Sequence, residues 1–461
     1  MNEITVMQKG CLKMYDKFFV KNGWLGKKQG DAYYLYNVAG KEFAVFESRK
    51  SFEDSADTVL QPAVVNPEPD FTCKPHFTAI TLTTKCNMEC PYCYVKPVSG
   101  SGAMTAGDAR NAVKALAGQT NDELVIFAWG GEPTQNPDAL LAMIEEAQNY
   151  PYIKVLLISN GVMDGDLLKR LLTYKNLVFQ ISFDGSMAEN IQKPLITKDD
   201  SLKGMLTSME TISQISKRVS LRATVTRRNA AELRNCLVPT ARRFTNRIIM
   251  EHMHVSSGRA VNLRSEAPSV EDYSALVFDI APSAEEEGIH VKVLPLDQLR
   301  EGGPNDKMNF LNILTDGSIT VSNAIIHSSH VDFPTLHIGD VADGHIVFDQ
   351  EKNELLAKRY LKNYQEQCQG CFAWPVCRGS VQRYLFIMHD SLSEWDDLRC
   401  QYYKAVISRW IDTLAEYISD SMGDFGATEG FIKLIPPAGK IHYPMFIMEG
   451  GLSMSYRSFY E

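Results

Sequence analysis

From Phe77 onward the chain repeats one pattern: a short apolar run, a turn, then a longer stretch with apolar residues every three or four positions. The apolar runs fall at 77–83, 124–129, 153–159, 177–183, 219–226 and 247–254, and the amphipathic stretches near 105–118, 136–148, 164–174, 201–216, 230–244 and 270–287. Six such units in a row predict a parallel sheet with helices outside, because parallel strands need a crossover connection. Six is two short of a closed eight-stranded barrel. The fold class is therefore α/β, a partial (β/α)6 barrel over residues 76–300, with ligands expected at the carboxyl ends of the strands.

The flanks read differently. Residues 1–75 form a small N-terminal α+β module: Tyr33 to Phe46 predicts a hairpin turning at Ala39-Gly40, and Ser51 to Leu60 a short helix capped by Ser51. Pro62, Pro67, Pro69 and Pro75 then mark a linker. After about residue 300 the rhythm stops. Asn312 to Val321 predicts a hairpin with Asp316-Gly317 at its tight turn, Leu336 to Val341 precedes a polar helix, and Tyr402 to Met422 reads as another helix. These make a C-terminal domain over 301–420, followed by an aromatic tail over 421–461 to which the pattern assigns no element.

Composition narrows the function classes. The 461 residues are 44% hydrophobic, enough for two or three units sharing a large core, and the net charge of −9 argues against general nucleic-acid binding. Charge is uneven: residues 216–264 hold eleven Lys and Arg against Glu232 and Glu251, as a solvated helix face does, or a surface for an anionic ligand or acidic peptide. No apolar run approaches the ~20 residues that span a bilayer. The N-terminus lacks a basic region followed by an apolar stretch, so no signal peptide is expected there. Ten cysteines are too few for a disulfide scaffold in so long a chain, and seven of them form two groups that read as metal sites, which fits a reducing cytoplasm. Cys11, Cys73 and Cys236 match neither group and read as small buried or surface residues.

The first group is Cys86-Asn-Met-Glu-Cys90-Pro-Tyr-Cys93, at the end of the first barrel run. Three thiolates at this spacing can hold three corners of an iron–sulfur cube and leave one iron open, whereas a structural zinc site would want four closed positions. The motif resembles the cluster loop of the radical S-adenosylmethionine (SAM) superfamily, including the aromatic residue before the last cysteine, Tyr92. The resemblance continues at the strand ends. Trp129-Gly130-Gly131-Glu132-Pro133 looks like the GGE motif, whose glycines permit close backbone approach and whose glutamate, here Glu132, receives the SAM amino group. Ser159-Asn160-Gly161 is similar to the segment beside the SAM ribose and methionine. Ser182-Phe-Asp184-Gly185 is close to the segment whose serine contacts SAM. Arg222 resembles the position where relatives hold the SAM carboxylate with a guanidinium, a fork-shaped and permanently charged donor. Many relatives carry an arginine past the fourth strand, where Lys193-Pro194 stands here. His252 and His254 alternate and predict two strand histidines facing a polar cavity rather than a metal pair.

The second group is Cys368-Gln-Gly-Cys371-Phe-Ala-Trp-Pro-Val-Cys377 with a distant Cys400. Four thiolates close a metal site, which on ligand grounds suits an iron–sulfur cluster or zinc. The region resembles the SPASM extension of radical SAM enzymes that modify peptides and proteins, anaerobic sulfatase-maturating enzymes and maturases of ribosomally made peptides among them. In that family one auxiliary cluster is bound by a run of this spacing plus a late cysteine. A second is not supported here, because Ser322 and Val381 stand where cysteines are needed and none lies between Cys236 and Cys368.

The resemblance implies a radical SAM enzyme acting on a peptide or protein substrate, leader-guided, with a SAM-binding 4Fe–4S cluster, one auxiliary 4Fe–4S cluster, S-adenosylmethionine and an external electron donor. The N-terminal module distantly resembles the peptide-recognition modules of such enzymes; otherwise it is an extension packed on the barrel. Two rivals remain: the same chemistry on a small molecule, such as dehydrogenation of a sugar alcohol, and a non-catalytic iron–sulfur or zinc protein.

Overall fold

In a computed structural model of the chain, the six apolar runs become strands whose side chains alternate between two cores. The structure describes residues 17–39, 42–46, 48–60, 77–95, 102–186, 201–215, 218–255, 258–301, 310–368, 370–377, 398–421 and 432–434. Lys193-Pro194, Cys11, Cys73, Val381, the linker prolines and most of the tail lie outside the described residues.

The N-terminal part holds β1 (Phe18–Lys21), β2 (Trp24–Gln29), β3 (Ala32–Asn37), β4 (Glu42–Phe46) and α1 (Arg49–Val59). The expected hairpin is β3–β4, in antiparallel register from Tyr33 opposite Phe46 to Asn37 opposite Glu42. The cap differs from expectation. Ser48 is the N-cap of α1, accepting the Ser51 N–H at 3.1 Å, and Ser51 sits at the third helical position, where its hydroxyl accepts the Ser48 N–H in a capping box. This sheet does not lean on the barrel alone. Lys27 pairs with Asp412, Tyr36 donates to the Leu299 carbonyl at 3.0 Å, and Phe18 stacks on Phe372. It therefore rests on the C-terminal region.

The barrel strands are β5 (Phe77–Thr83), β6 (Leu124–Gly130), β7 (Ile153–Ser159), β8 (Leu177–Ser182), β9 (Val219–Val225) and β10 (Arg247–His252). They pair in parallel, in sequence order. Helices α2 (Ala106–Ala117), α3 (Pro137–Ala147), α4 (Gly165–Leu171), α5 (Ser201–Ile215), α6 (Ala230–Phe244) and α7 (Val270–Glu286) connect them. Alternation sorts the strand residues: Ile126, Leu157, Phe179, Leu221 and Ile248 join the helices in one core, while Val125, Phe127, Leu156, Val178 and Ile249 fill the barrel interior. On β9 that same period points Val219, Leu221, Ala223 and Val225 outward, so Ser220, Arg222 and Thr224 face in.

The sheet extends beyond six strands at both edges. A short β11 (His290–Lys292) adds in parallel to β10 and is followed by α8 (Leu294–Glu301). At the other edge β12 (Phe310–Ile313) adds in parallel to β5, and β13 (Ser318–Thr320), β14 (His337–Ala342) and β15 (His345–Phe348) continue antiparallel, for an 11-stranded sheet. A one-turn helix, α9 (Phe333–Leu336), precedes β14. The polar helix expected right after Val341 comes one strand later, as α10 (Gln350–Gln367). Then come α11 (Trp374–Cys377) and α12, which starts at Leu398, earlier than expected, and runs to Ser421. From the tail, β16 (Ile432–Leu434) pairs antiparallel with β4 and so adds to the N-terminal sheet.

The basic stretch resolves into a solvated face. Arg228 pairs with Glu266, Arg234 with Asp279, Arg242 with Glu287 and Arg243 with Glu210, which matches four of its eleven positive charges with carboxylates at the surface.

Candidate active site

The loop after β5 is built around the three cysteines by backbone contacts with the next strand. Gly131 N–H donates to the Thr83 carbonyl at 2.9 Å and Glu132 N–H to the Lys85 carbonyl at 2.8 Å. A Cβ on Gly130 would lie 2.1 Å from Thr83 O, and one on Gly131 would lie 2.2 Å from Lys85 O. The two glycines thus serve close approach of the cysteine loop's own backbone, where the sequence suggested approach of a ligand. From the far side, Arg259 N–H donates to the Cys93 carbonyl at 2.8 Å, and Gly258, at φ +65°, leaves no room there for a side chain.

Glu132 is almost wholly buried and already a hub. Its Oε1 accepts Thr134 N–H, Thr134 Oγ1 and Ser159 Oγ at 3.2, 2.8 and 3.0 Å, while Oε2 accepts only the Asn160 N–H, at 2.8 Å. Burial raises its carboxyl above the ordinary range, and these donors pull the other way. Capacity for a further donor remains on Oε2. Asn160 also donates to Asn87 Oδ1 at 2.7 Å, and Asn87 to the Val162 carbonyl at 2.9 Å, which locks the β7 loop to the cysteine loop. Tyr92 donates its hydroxyl to Asp184, whose other oxygen accepts Thr224 N–H at 2.9 Å.

One cavity of about 140 Å³ is lined by Cys86, Cys90, Cys93, Tyr92, Gly130, Gly131, Glu132, Ser159, Asn160, Ser182 and Arg222 together. Every barrel residue that the sequence assigned to cluster or SAM binding lines it, at the carboxyl ends of the strands. Burial pushes the Cys86 thiol up to about 12 and holds Cys90 well above the ordinary range, so protons must leave when sulfur binds metal.

Arg222 is not free. Its guanidinium pairs with Glu251 on the neighbouring strand, and although burial works against ionisation, Arg222 and His254 hold the Glu251 carboxyl well below the usual range. His254 Nε2 lies 3.3 Å from the same carboxylate. A second cavity, about 230 Å³, shares Tyr94, Arg222 and His254 with the first and continues to Asn323, Arg399 and Tyr402. Both predicted histidines line it, but β10 ends at His252, so His254 stands in the loop beyond. Ser322 lines it too, with its hydroxyl accepting Ala324 N–H at 3.2 Å.

Residues the sequence did not single out complete this wall. Tyr94 follows Cys93 directly and accepts from Asn323 Nδ2 at 3.2 Å, and Trp129 donates to the Asn323 carbonyl at 3.0 Å. The signal for Glu251 was available: on β10 the inward positions are Arg247, Ile249 and Glu251.

The second cysteine group sits at the junction of α10, α11 and α12. Cys368 is the C-cap of α10, Cys371 N–H donates to the Cys368 carbonyl at 2.9 Å, and Gly370 between them takes φ +83°. Burial, then the nearness of Cys377, Cys371 and Cys400, raises the Cys368 thiol far above its ordinary value. The four thiols are therefore near enough to feel one another's charge. Among the described residues no three His, Cys, Asp or Glu side chains come together as a single metal ion would need.

Known proteins place this geometry. A sequence model described as the Radical SAM superfamily matches residues 80–235. No curated protein matches. Among solved structures, native anSMEcpe with bound AdoMet and Kp18Cys peptide is similar over 75% of this chain and 100% of its own, at 19% identity and a TM-score of 0.60. Histidine-tagged anSMEcpe with bound AdoMet is similar over 72% and 96%, at 19% identity and TM-score 0.58. Streptococcus suis SuiB bound to precursor peptide SuiA gives 68%, 85% and 12% identity, with a TM-score of 0.45, too low to carry an argument. At such identities the likeness shows a shared fold. Residues 80–235 match the Radical SAM superfamily, and that part of the chain is a radical SAM domain.

Proposed function

We propose that the chain binds a 4Fe–4S cluster and SAM in the first cavity and acts on a peptide or protein side chain in the second. The observation that carries this reading is the convergence of Cys86, Cys90, Cys93, Glu132, Ser159, Asn160, Ser182 and Arg222 on one cavity that shares Tyr94, Arg222 and His254 with another. Three thiols on one wall of a cavity that Glu132 also lines would fit a cluster held by three protein sulfurs. Bound there, the cluster and SAM supply a 5′-deoxyadenosyl radical that removes a hydrogen atom from substrate.

The chain's residues bind, orient and exclude water. Glu132 offers Oε2 to the SAM ammonium, Ser159, Asn160 and Ser182 supply polar contacts, and Arg222 offers guanidinium protons to the SAM carboxylate while braced by Glu251. Tyr92, tied to Asp184, fixes the cysteine loop against the fourth strand. Tyr94 and Trp129, both anchored on Asn323, form the partition between the cavities and set how far a substrate can reach. Cys368, Cys371, Cys377 and Cys400 hold one auxiliary cluster. Its roles are to accept an electron from the substrate or to bind it. A peptide substrate is favoured because the solved structure sharing the fold over its whole length, anSMEcpe, holds the Kp18Cys peptide.

The test is direct. Replacing Cys86, Cys90 or Cys93 with Ala is expected to abolish 5′-deoxyadenosine formation from SAM under reducing conditions; cleavage at the wild-type rate in any of the three would sink the radical reading. Mass spectrometry of a peptide encoded beside this gene, co-expressed with and without the enzyme, tests the substrate class. An unchanged peptide mass beside active SAM cleavage would point to a small molecule instead.

A further inference from the structure

The second cavity carries an unbalanced charge. It is bounded by the ends of β9 and β10, by the turn around Asn323 and by the first residues of α12. Arg222 is matched by Glu251. His252 and His254 sit below their ordinary range, first because they are buried and then because of neighbouring positive charge, so they add none near neutrality. Burial raises the Tyr273 phenol, which stays neutral. Arg399 remains. It forms no hydrogen bond or ion pair with any described residue, and its Nε is buried without an acceptor, as is the Nε of Arg222. A half-buried guanidinium whose Nε lacks an acceptor loses there the hydration it had in the unfolded chain, and an anion restores it.

Resting on the peptide reading above, we infer that Arg399 is a specificity-determining residue that receives a carboxylate of the substrate in this cavity, with Arg222 at its side. Arg399 lines this cavity and not the one that gathers the three cysteines, whereas Arg222 lines both. The two guanidinium groups thus divide the work: Arg222 faces the cofactor side, Arg399 the substrate side. A guanidinium suits the task because its planar fork meets a carboxylate with two parallel hydrogen bonds and stays charged at any relevant pH. The carboxylate comes from an acidic side chain or from a free C-terminus, and the chemistry recognised is the same.

The experiment uses the full chain, reconstituted anaerobically and saturated with SAM, and three synthetic probes: a blocked peptide with a central glutamate, the same peptide with glutamine, and the glutamine peptide with a free C-terminal carboxylate. Calorimetric binding is expected to favour one acidic probe over the neutral one by about tenfold or more, and which of the two is favoured identifies the source. Arg399→Gln should erase that preference while SAM affinity and iron content stay at wild-type levels. Arg399→Lys should keep part of it, because the charge remains although the fork is lost. Equal affinity for all three probes, immeasurable binding included, overturns the inference. So does a preference that survives in Arg399→Gln, or a lysine variant that discriminates no better than the glutamine one. An effect of Arg399→Gln confined to iron content would reassign the residue to the Cys400 site next to it and overturn it equally. Failure of the underlying peptide reading looks different: wild-type protein would still cleave SAM while the mass of the co-expressed peptide stayed unchanged.

Discussion

Arg222 shows how neighbours decide what a residue can do. On sequence it is a lone arginine in a strand, and the alternation of β9 turns it inward, where Glu251 and Tyr94 meet it. If its guanidinium also holds the SAM carboxylate, Arg222→Ala should weaken SAM binding by roughly 2–4 kcal/mol with both clusters loaded. Equilibrium binding checks this; unchanged affinity would leave Arg222 as the partner of Glu251 alone. His252 leads to a second expectation. It is buried against Tyr402, with ring centroids 4.4 Å apart, and burial, then His254 and Arg399, keeps its imidazole well below the ordinary value of 6.5. The unfolded chain takes up that proton below about pH 6.5 while the folded chain does not, so the unfolded state binds more protons and stability falls as pH drops from there, by up to about 1.4 kcal/mol per unit for this group. His252→Phe should flatten the fall in Tm between pH 7 and 5. A slope equal to wild type would mean that His252 is charged in the fold. The residues named from motifs were legible because their types and spacing follow from cluster and SAM chemistry. Tyr94, Asn323, Arg259 and Arg399 were not, since their role depends on which distant segments fold onto the cavity.

At the scale of elements, period and spacing predicted every barrel strand and helix to within a few residues, because each strand carries a short apolar run and each helix has one buried stripe. Misses came where the local signal is short. β11, β15 and β16 have only three or four residues each, and each is held by pairing with a partner far away or by one hairpin. The helix cap moved from Ser51 to Ser48 because either serine can cap and the capping box uses both. The Gly130-Gly131 turn joins β6 to the cysteine loop more tightly than sequence could say. Gly131→Ala would set a methyl against the Lys85 carbonyl, and backbone cannot rotate away as a side chain can. The expected cost is about 1–3 kcal/mol, with lower iron content because the loop that carries Cys86 must shift. Wild-type Tm together with a full iron count would show that the loop tolerates the methyl.

Over the whole molecule, the sheet runs unbroken from the barrel into the hairpins of the C-terminal region, and β16 joins the four N-terminal strands in a separate sheet. The second cysteine group is therefore built on a frame continuous with the first, through β12 at the edge of β5 and through α12, which carries Cys400 and also lines the substrate-side cavity with Arg399, Tyr402 and Tyr403. That layout makes the metal inventory a test of the entire assignment. Three thiols in the barrel and four in the C-terminal region offer ligands for two cubane clusters, on the order of 8 iron atoms per chain. Ser322, where a further cysteine would be needed for a third cluster, has its hydroxyl engaged with Ala324 N–H. Replacing Cys371 and Cys377 together should lower the iron count by about half while cleavage of SAM to 5′-deoxyadenosine persists, because the barrel cysteines remain, and product formation should fall. Anaerobically purified protein holding about one zinc and half the expected iron would make the C-terminal site a zinc site. A count near ~12 would mean that non-cysteine groups such as Ser322 hold a further cluster. Loss of SAM cleavage in the double variant, with the barrel cluster intact, would show that the two sites are coupled through α12 rather than independent.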